Sequence, residues 1–102
     1  MQIFRHQDSL LRPADPRTFT GPARTALVAS GEEGTPVHVY RVAFSERART
    51  KWHIHSGPQW LLVIDGRIRV QVQGEAAQDL DTGDAVVFAA GEKHWHGAAP
   101  GA

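Results

Sequence analysis

The 102-residue chain contains no cysteine. Disulfides, thiolate nucleophiles and metal centres built on Cys are thereby excluded. Long apolar runs are missing too. Trp60–Ile64 and Ala85–Ala90 are the longest, far short of the ~20 residues that cross a bilayer as a helix, so no membrane partner is expected. Neither sign of charge dominates, because 11 Lys and Arg balance 11 Asp and Glu for a formal net charge of zero. Without a basic block, nucleic acid and anionic lipid are not expected partners either. The N-terminal stretch Met1–Asp8 reaches Arg5 before an apolar signal-peptide core forms, which predicts a cytoplasmic protein. Repeats and low-complexity tracts are absent. At 41% apolar and 22% charged residues, the composition suits one modest folded core.

What the chain does have is strand signals and histidine. Pro13, Pro16, Gly21, Pro22, Gly31, Gly34 and Pro36 punctuate residues 1–36. That segment reads as irregular, with one or two strands (Thr25–Ala29 among them), and is expected to pack on a core spanning residues 37–102. In the core, Val37–Phe44, Thr50–His55, Gln59–Ile64, Arg67–Gln73, Gln78–Asp81 and Ala85–Ala89 read as strands, followed by His94-Trp95-His96. Arg67–Gln73 alternates polar and apolar with period two, the mark of a half-buried strand. Asp65-Gly66 predicts a type I′ hairpin turn. No window shows sustained helical periodicity with caps. The expected fold is an all-β barrel or two-sheet sandwich.

Four of the six histidines form two His-x-His pairs, His53/His55 and His94/His96. Residues i and i+2 of a strand share a face. If the two strands meet across a barrel, three or four imidazoles converge inside it. Such a cluster is costly without a partner, because each ring has two nitrogens to satisfy and resists taking charge when buried. A metal ion relieves this by accepting a lone pair from each neutral ring. Gln59 follows the Ser56-Gly57-Pro58 turn, and its side-chain oxygen is a candidate fourth ligand. His6 and His38 lack this spacing and read as surface or wall residues.

At these residues the chain resembles the cupin superfamily, small barrels of the double-stranded β-helix, or jelly-roll, type. The first cupin motif is Gly, five residues, His-x-His, three or four residues, Glu, six residues, Gly. Here His53, His55, Gln59 and Gly66 stand at those positions, with Arg47 in place of the leading Gly and Gln59 in place of the acidic ligand. The second motif is matched by Gly83, Gly91 and His94, with Ala89 for its Pro and Ala98 for its Asn. Within the superfamily, Thr50–His55, Gln59, Gly91–Pro100 and the early Phe19-Thr20-Gly21 are similar to small cupins related to carboxymuconolactone-decarboxylase-associated cupins. That group includes manganese-dependent bacterial hydroxynitrile lyases. The resemblance implies a metal held by His53, His55, Gln59 and His94, with His96 as a pocket histidine. Those relatives continue past the Ala-Ala-Pro segment into a further strand bearing another pocket histidine. The sequence ends at Ala102, so another element, or a second subunit, is expected to cover that edge.

Three imidazoles and an amide are neutral ligands, so a bound divalent ion keeps its full charge as a Lewis acid. The N/O set suits Mn, Fe, Co, Ni or Zn, and Mn is favoured by the resemblance. The expected partner is a small-molecule substrate. A lyase acting on a small hydroxylated compound such as a cyanohydrin would use His96 as general base. A cupin dioxygenase and a non-catalytic binding module are the competing functions. On Val37–Phe44, the bulkier parity (His38, Tyr40, Val42, Phe44) is expected inward, with Tyr40 and Val42 as pocket wall. If His53, His55, Gln59, His94 and His96 point inward, strand parity turns Trp52, Ile54, Trp60, Leu62, Ile64 and Trp95 outward. So much exposed apolar surface predicts a homodimer through the Trp52, Trp60 and Trp95 face.

Overall fold

Period-two alternation and frequent turn residues resolve into ten strands among the described residues. A computed structural model describes residues 1–31 and 37–101. The strands are β1 (Arg12–Pro13), β2 (Phe19–Thr20), β3 (Ala23–Ser30), β4 (His38–Phe44), β5 (Arg49–Thr50), β6 (Gln59–Leu62), β7 (Arg67–Val72), β8 (Gln78–Asp81), β9 (Ala85–Phe88) and β10 (His94–Ala98). The one helical element among the described residues is a 3-10 turn at His6–Asp8. No helix is long and apolar enough to cross a membrane. A five-stranded sheet runs β2-β5-β10-β7-β8, a three-stranded sheet β1-β3-β4, and β6 pairs with β9. Every pairing is antiparallel. The architecture is an all-β jelly-roll.

The N-terminal third is more ordered than its composition predicts. It supplies three strands, not one or two. β3 pairs with β4 from Ala23↔Phe44 to Ser30↔His38, with a bulge between Leu27 and Ala29. β2 joins the five-stranded sheet through Phe19↔Thr50. Gly21, at φ 77°, lets the chain turn against Ala48. The expected boundary between residues 36 and 37, with Gly34 and Pro36, lies outside the described residues.

Two further expectations need correction. Asp65-Gly66 is not a type I′ hairpin. Gly66 alone takes a positive φ of 85°, and β6 and β7 belong to different sheets. The dipeptide carries the chain from one sheet to the other. The strand expected over Thr50–His55 ends at Thr50, after which only His53 keeps a bridge, to His94. That bridge is closed by His53 N–H to His94 O at 2.9 Å and His94 N–H to His53 O at 3.0 Å.

β10 is the axis of the molecule. His94, Trp95, His96 and Gly97 are all buried, between β5 on one side and β7 on the other. Its inner face meets Phe88, which is 1% exposed. Trp95 points to the opposite face but is covered within the chain, contrary to the sequence expectation. The Arg49 guanidinium lies 4.5 Å from its ring centroid, Trp52 meets it edge-on, and its indole N–H donates to Gln71 Oε1 at 2.9 Å. A cation–π contact and a hydrogen bond satisfy both parts of the indole without a second subunit.

The approach of β5 to β10 leaves no room at Gly97. A Cβ there would collide with Arg49 Cβ and lie 2.5 Å from the Ala48 carbonyl oxygen. Ala48 is fully buried, and its carbonyl accepts the Ala98 N–H at 2.9 Å. Neither side can give way without breaking the ladder. Gly97→Ala is therefore expected to destabilise the fold by about 2 kcal/mol or more, read as a lower midpoint in denaturant unfolding. An unchanged midpoint would contradict this packing.

Candidate metal centre

The local fold delivers both His-x-His pairs to one place. His94 and His96 come from the inner face of β10. His53 and His55 follow β5 and are held by the two-way bridge to His94. Ring centroids lie 4.8 Å apart for His53 and His55, 4.3 Å for His53 and His94, 5.6 Å for His55 and His94, and 5.9 Å for His94 and His96. One ring nitrogen from each of His53, His94 and His96 falls within 4.8 Å of the others. His55, more exposed, stands at the edge of this trio. Gln59, at the start of β6, brings its Oε1 to 2.8 Å from His94 Nε2, and its amide also reaches His55.

The protonation pattern follows from the partners. His53 Nδ1 lies 2.7 Å from the Lys51 carbonyl, and His94 Nδ1 lies 2.9 Å from the Glu92 carbonyl. A carbonyl only accepts, so both Nδ1 atoms carry the proton. Each neutral ring then turns an Nε2 lone pair into the cluster. Burial and the neighbouring rings oppose charge. His94 is held below the ordinary histidine value chiefly by burial, opposed by the hydrogen bond it donates to the Glu92 carbonyl, with His53 and His55 adding to the fall. His55 is lowered by burial and by His53, partly offset by Gln59. His96 is pushed down to about 3 by burial, then by His53, His94 and His55.

A divalent ion fits this arrangement. His94 Nε2 and Gln59 Oε1 are two lone pairs facing each other at 2.8 Å, which repel unless something positive lies between them. Two donors bound side by side to one ion, with bonds of about 2.1 Å, stand about 3 Å apart. Reversing the amide would give His94 an N–H instead. It would leave unchanged the convergence of one ring nitrogen each from His53, His94 and His96 within 4.8 Å of one another. The carbonyls behind His53 and His94 fix those rings from outside, as metal-binding imidazoles require.

Three contributors carried no spacing signal. Phe88 stacks on His94 at 3.7 Å with planes 9° apart. Its place was readable only through its register with Gln59. Phe44 meets His96 edge-on at 5.8 Å. Thr50 Oγ1 accepts the His96 N–H at 3.1 Å, and nothing in the sequence marked it.

A cavity of about 450 Å³ leads from the surface to His96, between β4 and β6. Val42, Phe44, Val63 and Ile68 line it, and Tyr40 stands on its rim, 60% exposed. Of the set expected inward on β4, His38 is instead exposed at the strand's outer end. His6 is also at the surface, against Arg41. A separate depression of about 620 Å³ beneath the N-terminal segment contains none of the histidines.

Comparison with known proteins agrees with this architecture. The Cupin domain family matches residues 40–102. An (R)-mandelonitrile lyase of Granulicella tundricola is 42% identical over 88 residues, covering 86% of this chain and 66% of that protein. A cupin-like protein of Thermotoga maritima superposes with a TM-score of 0.80 at 38% identity, covering 86% of this chain and 67% of that one. KdgF from Halomonas superposes with a TM-score of 0.77 at 22% identity, covering 97% and 84%, and shares the fold. The chain thus spans about two thirds of the length of its lyase relative.

The buried histidines link stability to pH. Between the unfolded value of 6.5 and the folded value of about 3 for His96, the unfolded chain binds a proton that the folded chain refuses. Stability is therefore complete above about pH 6.5 and is lost as pH falls toward 3. His94 and His55 shift in the same direction. The melting temperature of chelator-treated protein is expected to drop steadily through this window. A flat profile would contradict the burial of neutral rings.

Proposed function

The chain belongs to the cupin domain family, and from that premise we propose that it is a metal-dependent lyase acting on a small hydroxylated substrate such as a cyanohydrin. The observation that carries this reading is the convergence of ring nitrogens from three histidines within 4.8 Å of one another, with the Gln59 amide beside them, at the foot of an apolar cavity. The 42% identity to a mandelonitrile lyase supports the reaction type. His53, His55, Gln59 and His94 would hold the ion. Manganese is favoured by the resemblance to the lyase group, and Fe, Co, Ni or Zn suit the same donors. A bound divalent ion supplies Lewis acidity that makes the substrate hydroxyl easier to deprotonate.

The remaining work falls to the chain's own residues. Val42, Phe44, Val63 and Ile68 take up the apolar part of the substrate and exclude water, with Tyr40 at the entrance. His96 lines the cavity and would serve as the neutral base. It accepts the hydroxyl proton, the O–H electron pair becomes the second bond of a carbonyl, and the C–C pair leaves with cyanide. His96 then returns the proton to cyanide, so atoms and charge balance with no oxidant.

The test is metal analysis of protein purified without added metal, followed by cyanohydrin cleavage for the wild type and two variants. The expected result is a stoichiometric divalent metal and aldehyde release. His53→Ala should lose the metal. His96→Ala should keep it while kcat falls by about 10²–10⁴. Iron with oxygen uptake and no cleavage would instead favour a dioxygenase. Loss of the metal from His96→Ala would make His96 a ligand and overturn its role as base.

A further inference from the structure

Ala89 stands where the second cupin motif has proline, and the exchange leaves a backbone N–H just past the end of β9. Glu92 takes it up. The Ala89 N–H donates to Glu92 Oε1 at 2.7 Å, and the Glu92 N–H donates back to the Ala89 carbonyl at 3.1 Å. These two bonds close a turn over residues 89–92. Gly91 takes a positive φ of 81° at its third position, where a tight turn favours glycine. Among the described residues Glu92 makes no salt bridge, so its carboxylate is committed to the turn.

This turn lies directly behind the proposed ligands. Its Glu92 carbonyl accepts the His94 Nδ1–H at 2.9 Å. Its Gly91 N–H donates to the His55 carbonyl at 3.0 Å. Phe88, which leads into it, pairs with Gln59 in the strand register and stacks on His94 at 3.7 Å. One short turn thus bears on His94, His55 and Gln59, which come from three separate segments. We propose that Glu92 is a positioning residue, whose side chain stiffens this turn so that the turn holds the His94 ring and the His55 backbone in place for a metal ion. If the turn loosened, the Glu92 carbonyl would drift. His94 would then lose the partner that keeps its proton on Nδ1 and aims Nε2 into the cluster. Proline at position 89 would stiffen the chain in another way, by fixing φ without an N–H to satisfy. Phe88 before it is already in an extended strand, as a residue preceding proline needs to be. The inference rests on the metal reading above and adds a residue whose side chain acts through the turn.

Two substitutions separate reach from charge. Glu92→Gln keeps the accepting oxygen and loses the charge, whereas Glu92→Asp keeps the charge and is one methylene too short. Manganese is titrated into the chelator-treated full chain, with the free ion followed by electron paramagnetic resonance. Wild type and Glu92→Gln are expected to bind alike, and Glu92→Asp about 10–100-fold more weakly. In an Ala89→Pro background, Glu92→Asp should cost no affinity, because no N–H remains to be capped. In the metal-free proteins, long-range proton–nitrogen NMR should show His94 protonated at Nδ1 in wild type and Glu92→Gln, and exchanging between tautomers in Glu92→Asp. Wild-type affinity in Glu92→Asp, or a Glu92→Gln as weak as Glu92→Asp, would overturn the inference. So would an unchanged His94 tautomer in Glu92→Asp. A wild type that binds no manganese but shows the tautomer difference would sink the metal reading and uphold the role of Glu92 in placing His94.

Discussion

Neutral imidazoles crowded in a poorly solvated space have few ways to satisfy their nitrogens, and that constraint organises this molecule. His53 and His94 spend their Nδ1 protons on the Lys51 and Glu92 carbonyls. Their remaining lone pairs must then point at one another's surroundings. Protonation would relieve the crowding in water, but burial and neighbouring rings depress the values of His55, His94 and His96. With protons disfavoured, a divalent ion is the cation that the cluster can accept.

The fold serves this by making β10 a strand with two jobs. Its inner face carries His94 and His96, and its outer face carries Trp95. Trp95 is clamped by Arg49, Trp52 and Gln71, which come from β5, the His53 segment and β7. The clamp and the close contact at Gly97 draw β5 against β10. The His53 bridge to His94 continues the same alignment. Geometry at the cluster is thus set by packing on the far side of the sheet. By contrast, the Arg67–Asp81 and Arg69–Asp79 pairs are exposed. They support the pairing of β7 with edge strand β8 and add little else.

Much of this was legible in the residues, and the reasons are physical. The i, i+2 rule joined His53 to His55 and His94 to His96, and the family motif added Gln59. Strand segments from Val37 onward were visible because alternation and turn residues are local signals. What stayed hidden depends on distant contacts. Proline and glycine make residues 1–36 look irregular, yet β3 gains its order from pairing with β4. Asp65-Gly66 has hairpin chemistry, but whether a turn joins neighbours in one sheet is settled by tertiary pairing. Parity put Trp95 on the outside, which is its true side of the sheet. It could not reveal that Arg49, Trp52 and Gln71 cover it. Phe88, Phe44 and Thr50 were missed as neighbours of the histidines because only register brings them there.

We propose that His53, His55, Gln59 and His94 bind one divalent ion. Anomalous diffraction at the manganese edge from crystals of manganese-loaded protein addresses it most directly. The account predicts a single strong peak within bonding distance of the three imidazoles and the Gln59 oxygen, with His96 alongside. A peak elsewhere on the chain, or none among these side chains, would contradict it.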